Sequence, residues 1–173
     1  MGEGIFAGLK VIDCATYIAA PAAATTLGDF GADVIKVESP EGDRTRGIGP
    51  YTNGVSHLFM ALNRGKKSIV LDLKHEDAKA AFRELAGTSQ VLVENFRPGV
   101  MDRLGLGYKT LAQRNHRVIQ CSIVGYPETG SRRNRPGHDL NFVGVTGLLE
   151  LNRGQDGRPA IPAFQIGDIA AGA

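Results

Sequence analysis

Short apolar runs alternate with segments of helical pattern along most of the chain. Five runs have the length of strands and are bounded by polar or turn-forming residues, at 11–14, 33–37, 68–71, 91–93 and 118–123. Helices are predicted between them, at 21–30, 57–62, 76–86, 100–104 and 111–114. The runs are apolar without strict alternation, as in strands buried on both faces. This pattern predicts an α/β fold, a Rossmann-like open parallel sheet with helices on both faces.

The predicted sheet also indicates where a ligand should lie. Open parallel sheets bind ligands in the loops that follow the carboxyl ends of their strands. Those loops begin near Ala15, Glu38, Asp72, Glu94 and Val124, and the second of them is a long polar loop over 39–54. The first loop has no glycine through position 21. It therefore lacks the glycine fingerprint of dinucleotide sites, which argues against a nicotinamide or flavin cofactor.

Composition indicates an ordinary globular protein. The chain has 173 residues, 42% of them hydrophobic and 22% charged, which suits one domain with a sizeable core. A net charge of +2 gives no reason to expect a nucleic acid partner, and no apolar run reaches membrane-spanning length. Cys14 and Cys121 each lie in an apolar run and are expected to be buried thiols. No signal peptide pattern is visible, so a cytoplasmic location is expected.

Basic residues gather near the predicted carboxyl edge of the sheet. They could bind a ligand with several phosphates, since arginine and lysine both bind phosphate. They could equally form a solvated face balanced by Asp72, Glu76 and Glu94. The residues alone leave both readings open. The basic residues are Arg64, Lys66, Lys67, Lys74, Arg97 and Arg103.

Two carboxylates near glycines are the candidates for chemistry. His138 and Asp139 follow a turn, and Asp168 lies between Gly167 and a run of small residues. These residue types suit proton transfer or nucleophilic attack by a carboxylate. The alternative is structural, with Asp139 and Asp168 as helix N-caps and His138 in a surface turn. No group of His and Cys has metal-ligand spacing, so no metal is expected.

Several segments in order resemble the class III CoA-transferase family, which also contains the 2-methylacyl-CoA racemases. The segments are 28–38 (GDFGADVIKVE), 63–68 (NRGKKS), 71–74 (LDLK), 93–101 (VENFRPGVM), 104–108 (LGLGY), 137–141 (GHDLN) and 167–168 (GD). The resemblance implies an acyl-CoA substrate, a free carboxylic acid acceptor and no permanently bound cofactor. It also implies a homodimer of interlocked chains. Residues 1–173 would form the N-terminal portion of the large CoA-binding domain, with the small domain and the C-terminal return of the chain absent.

The resemblance assigns site residues by position. Asp168 matches the aspartate that attacks the thioester, and its small neighbours would leave backbone N–H groups free to hold an oxyanion. A helix beginning at Asp168 would stabilise its anionic form. One departure is Ser39, where many relatives carry an arginine that contacts CoA, and Arg44 or Arg46 is a candidate replacement. The implied CoA-lining residues are Val70, Leu71, Asp72, Leu73, Lys74, Asn95, Phe96, Arg97, Arg103, Gly137, His138, Asp139, Leu140, Asn141 and Phe142.

Three functions remain open at this point. The first is transfer of CoA between carboxylic acids through an aspartyl intermediate on Asp168. The second is a racemase in which His138 and Asp168 act as acid and base on either side of one carbon, because His138 occupies the racemase position. The third is an inactive CoA-binding fragment, since family members are more than twice as long as this chain.

Overall fold

Seven strands are present in the computed structural model, which describes residues 4–172. They are β1 (Lys10–Cys14), β2 (Asp33–Glu38), β3 (Tyr51–Thr52), β4 (Val55–Ser56), β5 (Lys67–Val70), β6 (Val91–Glu94) and β7 (Ile119–Ser122). Five of them form one parallel sheet in the order β5-β2-β1-β6-β7, and β3 and β4 form a separate antiparallel pair. The five strands predicted from the apolar runs are therefore confirmed.

Eight α-helices connect or follow these strands within residues 4–172. They are α1 (Ala19–Asp29), α2 (His57–Asn63), α3 (Glu76–Thr88), α4 (Val100–Arg103), α5 (Tyr108–Arg114), α6 (Asp139–Val145), α7 (Leu148–Leu151) and α8 (Ile166–Gly172). The first five coincide with the predicted helices. The predicted loop over 39–54 instead contains a 3₁₀ turn at Arg44–Gly47 and strand β3. Two-residue strands leave no apolar run, so the pattern could not reveal them.

Helices cover both faces of the sheet, as the continuous apolar strands predicted. Consecutive residues of β1 point to opposite faces. Val11 packs with Ala20 and Ala24 of α1 in one buried cluster. Ile12 packs with Phe82 of α3 and Leu111 of α5 in the other cluster. Two separate apolar cores thus hold the sheet between α1 on one side and α3 to α5 on the other.

The chain order creates a switch point beside β1. This strand pairs in parallel with β2 on one side and with β6 on the other. The connection from β1 therefore leaves in one direction, and the connection that follows β6 leaves in the other. Cys14 and Glu94, the last residues of the two strands, lie opposite each other in the register. Ligands in open α/β sheets bind at such a point, so the loops after β1 and β6 are where a site is expected.

The sheet edges are less buried than the sequence pattern indicated. Every residue of β5 is exposed, and Ile119 of β7 is 62% exposed. Cys14 in the central strand is buried, as predicted, but the prediction for Cys121 is wrong because this residue is exposed on the edge strand β7. None of the helices within residues 4–172 combines the length and the apolar character that crossing a bilayer requires.

Candidate active site

A cleft of about 300 Å³ lies at the carboxyl ends of β1, β2, β5 and β6. It contains five of the residues that the sequence assigned to CoA: Leu71, Asp72, Leu73, Lys74 and Phe96. It also contains residues that sequence reasoning did not assign, which follow β1 and β2 or lie after α4: Ala15, Thr16, Ser39, Gly42 and Leu104. The position of these loops at the carboxyl edge was the signal that could have identified them. An apolar cleft with a polar rim is the usual form of a small-ligand site.

Four assigned residues outside the 137–142 segment do not line this cleft. Asn95 uses both ends of its amide on the main chain of Thr16, donating to the carbonyl at 2.7 Å and accepting from the N–H at 3.1 Å. Arg97 lines a second cleft of about 330 Å³ on the other side of Phe96. Arg103 lies on α4 with its guanidinium beside Gly99, and Val70 is 59% exposed at the end of β5.

Half of the basic residues are matched by carboxylates that the sequence pattern did not identify. Arg64 is paired with Asp29. Lys67 is paired with Asp33 at 2.7 Å. Lys66 is buried and lies 2.7 Å from Asp13. These three side chains hold secondary-structure elements together, which leaves Lys74, Arg97 and Arg103 as basic residues near the carboxyl edge.

Glu38 binds the arginine that was considered as a replacement at the Ser39 position. The Arg46 guanidinium donates to both Glu38 oxygens, at 2.8 and 2.6 Å, and lies over the Phe59 ring at 3.7 Å. Ser68 donates to the same carboxylate at 2.6 Å. The Arg46 hydrogen bonds, with those from Ser68 and the Asp43 N–H, lower the pKa of Glu38 to about 2. Arg46 thus stabilises the fold here and is not free to meet a phosphate.

Asp139 joins α6 to α8 instead of capping its own helix. It is the first residue of α6, and His138 occupies the N-cap position. Its Oδ1 accepts hydrogen bonds from the N–H groups of Gly167 at 2.6 Å and Asp168 at 3.0 Å. Helix α8 begins at Ile166, so Asp168 lies in its first turn. Neither aspartate is the N-cap of its own helix, but Asp139 satisfies two free donors of α8 from another helix.

The Asp168 side chain is partly buried and electrostatically perturbed. Burial raises the pKa of its carboxyl, the Asp139 carboxylate raises it further, and His138 acts in the opposite direction. The net shift of the Asp168 pKa is thus opposite to the one that a helix N-terminus alone would produce. His138 precedes Asp139, whose carboxylate accepts the Asp168 N–H, so the structure brings the two catalytic candidates, Asp168 and His138, into the same region. A carboxyl group perturbed in this way is typical of functional sites.

The small residues of α8 have a packing role. The Gly167 N–H already donates a hydrogen bond to Asp139, so it is not free to bind an oxyanion. Gly172 is buried against α1, and a Cβ there would lie 2.2 Å from the Ala19 carbonyl oxygen. The run of small side chains therefore lets α8 lie directly on the first turn of α1, close to the switch point.

The other residues of the 137–142 segment divide between ordering and packing. The His138 ring contacts the Tyr17 ring edge-on, with centroids 5.8 Å apart, and the His138 N–H donates to Asn141 at 2.9 Å. Phe142 packs on Tyr126 with centroids 5.6 Å apart and covers Gly137, where a Cβ would lie 2.8 Å from its ring. Leu140 is 41% exposed. None of these residues lines the cleft of about 300 Å³.

Residues 4–172 contain no group of three or more His, Cys, Asp or Glu side chains arranged to hold a metal ion. What the site does offer is a cleft for a ligand at the switch point. Beside the loop after β1 it offers a perturbed carboxyl and an exposed imidazole. This combination is typical of an α/β enzyme that acts on a bound organic ligand by acid–base or carboxylate chemistry.

The chain belongs to CoA-transferase family III, whose family model matches residues 6–173. Acetyl-CoA:oxalate CoA-transferase of Acetobacter aceti is 42% identical over 172 residues, which are 98% of this chain and 44% of that protein. Succinyl-CoA–L-malate CoA-transferase beta subunit of Chloroflexus aurantiacus is 44% identical over 158 residues, 90% of this chain and 39% of that protein. The chain thus spans less than half the length of the curated relatives that it matches.

Solved structures agree with this assignment. A CAIB/BAIF family protein from Brucella suis is 39% identical and superposes with a TM-score of 0.92 over 97% of this chain and 46% of that one. Rv3272 from M. tuberculosis is 38% identical, with a TM-score of 0.91 over 99% of this chain and 49% of that one. The family resemblance and the predicted fold class are confirmed.

Proposed function

We propose that the chain carries the CoA site and the reactive carboxylate of an enzyme that transfers CoA between carboxylic acids. The observation that carries this proposal is Asp168, a partly buried carboxyl whose main chain is fixed by Asp139 beside the switch point. The relatives named as CoA-transferases support the reaction class. Asp168 occupies the position of the catalytic aspartate in the family motif, and a carboxylate is a competent nucleophile toward a thioester.

The reaction proceeds in four balanced steps. An Asp168 oxygen attacks the thioester carbonyl carbon, and the C–S bond breaks to give an acyl-aspartyl anhydride and CoA thiolate. The thiolate attacks the Asp168 carbonyl carbon, which releases the first carboxylate and leaves an aspartyl-CoA thioester. The acceptor carboxylate then displaces the thiolate to form a second anhydride. Attack by the thiolate on the acceptor carbonyl releases the new acyl-CoA and restores Asp168.

The CoA moiety is assigned to the cleft at the carboxyl edge. Its apolar wall of Leu71, Leu73 and Phe96 suits the adenine and pantetheine groups. Lys74 lies in this cleft, and Arg97 and Arg103 lie on the segment after β6, where basic side chains can bind phosphates. The substrates are then an acyl-CoA and a free carboxylic acid. The four steps draw on Asp168, the acyl-CoA and the acceptor acid, and they require no permanently bound cofactor.

Exchange of CoA between two acids tests the proposal. A longer polypeptide that contains residues 1–173 is incubated with an acyl-CoA and an isotopically labelled carboxylic acid, and label entering the thioester is followed. Asp168→Asn is expected to abolish exchange, because the amide is a poor nucleophile. Glu84→Gln is the control, since Glu84 is exposed in the second half of α3 and lines neither cleft. Asp168-independent exchange would contradict the proposal.

A second candidate, an acyl-CoA racemase, is favoured by one observation. His138 is exposed beside Asp168, so an imidazole and a carboxyl are available as two proton-transfer groups. In heavy water a 2-methylacyl-CoA would then take up deuterium at the α carbon without an acceptor acid, and His138→Gln would stop this uptake. If deuterium stays out while CoA moves to the labelled acid, the racemase reading fails.

We also propose that residues 1–173 correspond to the N-terminal portion of the family's large CoA-binding domain. Support comes from alignments that cover at most 44% of the curated relatives described above. On this proposal the 173-residue chain alone is inactive, and exchange by the purified chain would refute that. An interlocked homodimer and a cytoplasmic location stay predictions, and sedimentation of the protein tests the first of them.

A further inference from the structure

The loop after β1 has an unusual conformation at the point where it meets His138. Tyr17 has φ of 67°, in the left-handed region that side chains other than glycine rarely adopt. Its ring lies edge-on against the His138 ring at 5.8 Å. A tyrosine keeps this backbone conformation only where the surrounding structure enforces it. The forces that hold the loop on both sides of Tyr17 therefore bear on the position of His138.

Hydrogen bonds hold the main chain immediately before Tyr17. The Ala15 N–H donates to Asp13 at 3.1 Å, and the Ala15 carbonyl accepts from the Lys36 ammonium at 2.9 Å. The Thr16 N–H and carbonyl are both bound by Asn95. Every main-chain polar group of these two residues is thus bound by a side chain from β1, β2 or the loop after β6. Such contacts leave the loop little freedom to relax.

A second ammonium fixes the segment just after Tyr17. The Lys66 ammonium donates to the Pro21 carbonyl in the first turn of α1 at 2.8 Å. The same group donates to Asp13 at 2.7 Å and to the Leu62 carbonyl at 2.8 Å. Lys66 therefore ties α1 to the end of α2 and to β1. The loop that carries Tyr17 is therefore held by hydrogen bonds on both sides of this residue.

The two ammonium groups belong to one buried charge cluster, formed by Asp13, Lys36, Asp43 and Lys66. Lys36 lies 2.9 Å from Asp43 and 3.6 Å from Asp13, and these side chains are at most 1% exposed. The Lys66 side chain is 2% exposed. Two positive and two negative charges balance, which makes burial of all four possible. Buried charged networks cost desolvation energy, so their use at one loop points to a requirement for a defined loop shape.

We propose that this buried cluster sets the loop so that Tyr17 acts as a positioning residue for the His138 ring. The inference rests on the proposed function, in which His138 lies beside the reactive Asp168. Tyr17 holds one edge of the ring, and the N-cap hydrogen bond to Asn141 holds its main chain. The imidazole is then kept beside Asp168 in one orientation, although its side chain is exposed to solvent.

The ring signals of His138 in NMR spectra of the protein test the positioning directly. The chain has four histidines, and the His138 signals are identified by their absence in His138→Gln. Tyr17→Phe retains the ring and is expected to leave these signals in place. Tyr17→Gly relieves the left-handed backbone but removes the ring, and it is expected to move the signals toward those of an exposed histidine. Unchanged His138 signals in Tyr17→Gly would overturn the proposal.

Two further variants separate positioning from general stability. Asn53 is the other non-glycine residue with positive φ in the described chain, at 51°, so Asn53→Gly is a matched control that should leave His138 unchanged. Lys66→Met removes the hydrogen bond to the Pro21 carbonyl, and it is expected to move the His138 signals as Tyr17→Gly does. Where that variant does not fold, Asn95→Ala removes both hydrogen bonds to the Thr16 main chain and tests whether the loop conformation positions His138. A shift caused equally by Asn53→Gly would contradict the inference.

The exchange assay distinguishes this inference from the proposed function. Tyr17→Gly is expected to lower kcat about 10²-fold through misplacement of the site, with little change in KM for the acyl-CoA, and Tyr17→Phe is expected to retain activity. If Tyr17→Gly keeps full kcat while Asp168→Asn abolishes exchange, the positioning inference fails and the proposed function stands. If exchange does not depend on Asp168 but the His138 signals respond to Tyr17, the proposed function fails and the positioning is supported.

Discussion

The carboxylate of Asp139 holds the main chain of Asp168, accepting its N–H at 3.0 Å through an oxygen that also accepts from Gly167 at 2.6 Å. The same carboxylate raises the pKa of the Asp168 side chain, after the larger effect of burial. One acid therefore fixes the position of another and also weakens its acidity. These two effects can be separated by substitution.

Asp139→Asn should separate the effect on the position of Asp168 from the effect on its pKa. An amide oxygen can still accept the two N–H groups but carries no charge. Asp168 attacks only when ionised, so exchange is lost as pH falls through its pKa. Removing the Asp139 charge lowers that pKa, and the acid limb of the pH–rate profile should move to lower pH.

Asp139→Ala is the comparison, since it removes both the charge and the acceptor. It should destabilise the protein by about 1–2 kcal/mol through the loss of a helix cap, measured by urea unfolding. An acid limb that stays at the wild-type pH in Asp139→Asn would show that the Asp139 charge does not act on the nucleophile.

Asp168 should reduce stability at neutral pH. Its folded pKa is raised, so between the unfolded value of about 3.9 and the higher folded value the native state holds more protons. Stability then declines as pH rises through this window, and the loss is complete above the folded pKa. Asp168→Asn should therefore raise the melting temperature at pH 7. The gain should vanish below about pH 3.9, where both proteins are neutral at this position; an equal gain at every pH would contradict the account.

The strands were predictable because each is a local signal. Continuous apolar runs such as 91–93 need only their own residues to indicate a buried parallel strand. The contact from Asp139 to Gly167 and Asp168 spans 28 and 29 positions, and no local pattern reports it. The sequence pattern placed both aspartates at helix starts but gave each aspartate its own helix to cap. Which helix Asp139 caps is decided by tertiary packing.

The two cysteines should differ sharply in reactivity. Burial, followed by the nearby Asp13 and Glu94 carboxylates, raises the pKa of the Cys14 thiol to about 12, so almost none of it is thiolate at neutral pH. Cys121 is exposed on β7. One equivalent of a maleimide should react with the folded 173-residue chain, and mass spectrometry should place it on Cys121. Cys121→Ser should remove the reaction and Cys14→Ser should not; fast labelling of Cys14 in the native protein would contradict the burial.

Gly172 should tolerate no side chain, whereas Gly144 should. A Cβ at Gly172 would lie 2.2 Å from the Ala19 carbonyl oxygen, which is main chain and cannot move aside, so Gly172→Ala should destabilise the protein by about 1–3 kcal/mol. Gly144 lies within α6, and a Cβ added there would have no atom within 4 Å. Gly144→Ala should therefore stabilise it by about 0.5–1 kcal/mol. Denaturant unfolding measures both, and equal effects would show that α8 does not pack on α1 as described.

The lysines show most clearly what a sequence pattern leaves undetermined. Lys36 stands within β2 and Lys66 just before β5, and a basic residue in either place is usually solvated. Both are buried because Asp13 and Asp43 come from other parts of the chain to neutralise them. Charge alone groups Lys66 with Arg64 and Lys67 as a phosphate-binding set. The pairing of these charges, however, depends on the fold that brings their partners close.

Trapping of an activated Asp168 carboxyl tests the central claim most directly. Protein incubated with an acyl-CoA, or a longer polypeptide containing these residues if the chain alone does not turn over, is treated with hydroxylamine and mapped by mass spectrometry. Both the anhydride and the aspartyl-CoA thioester are acylating species, so hydroxylamine should convert Asp168 into a hydroxamate only when the acyl-CoA is present. The account predicts this mark on Asp168 and none on Asp139. Turnover with an unmodified Asp168, or with the mark on another residue, would contradict it.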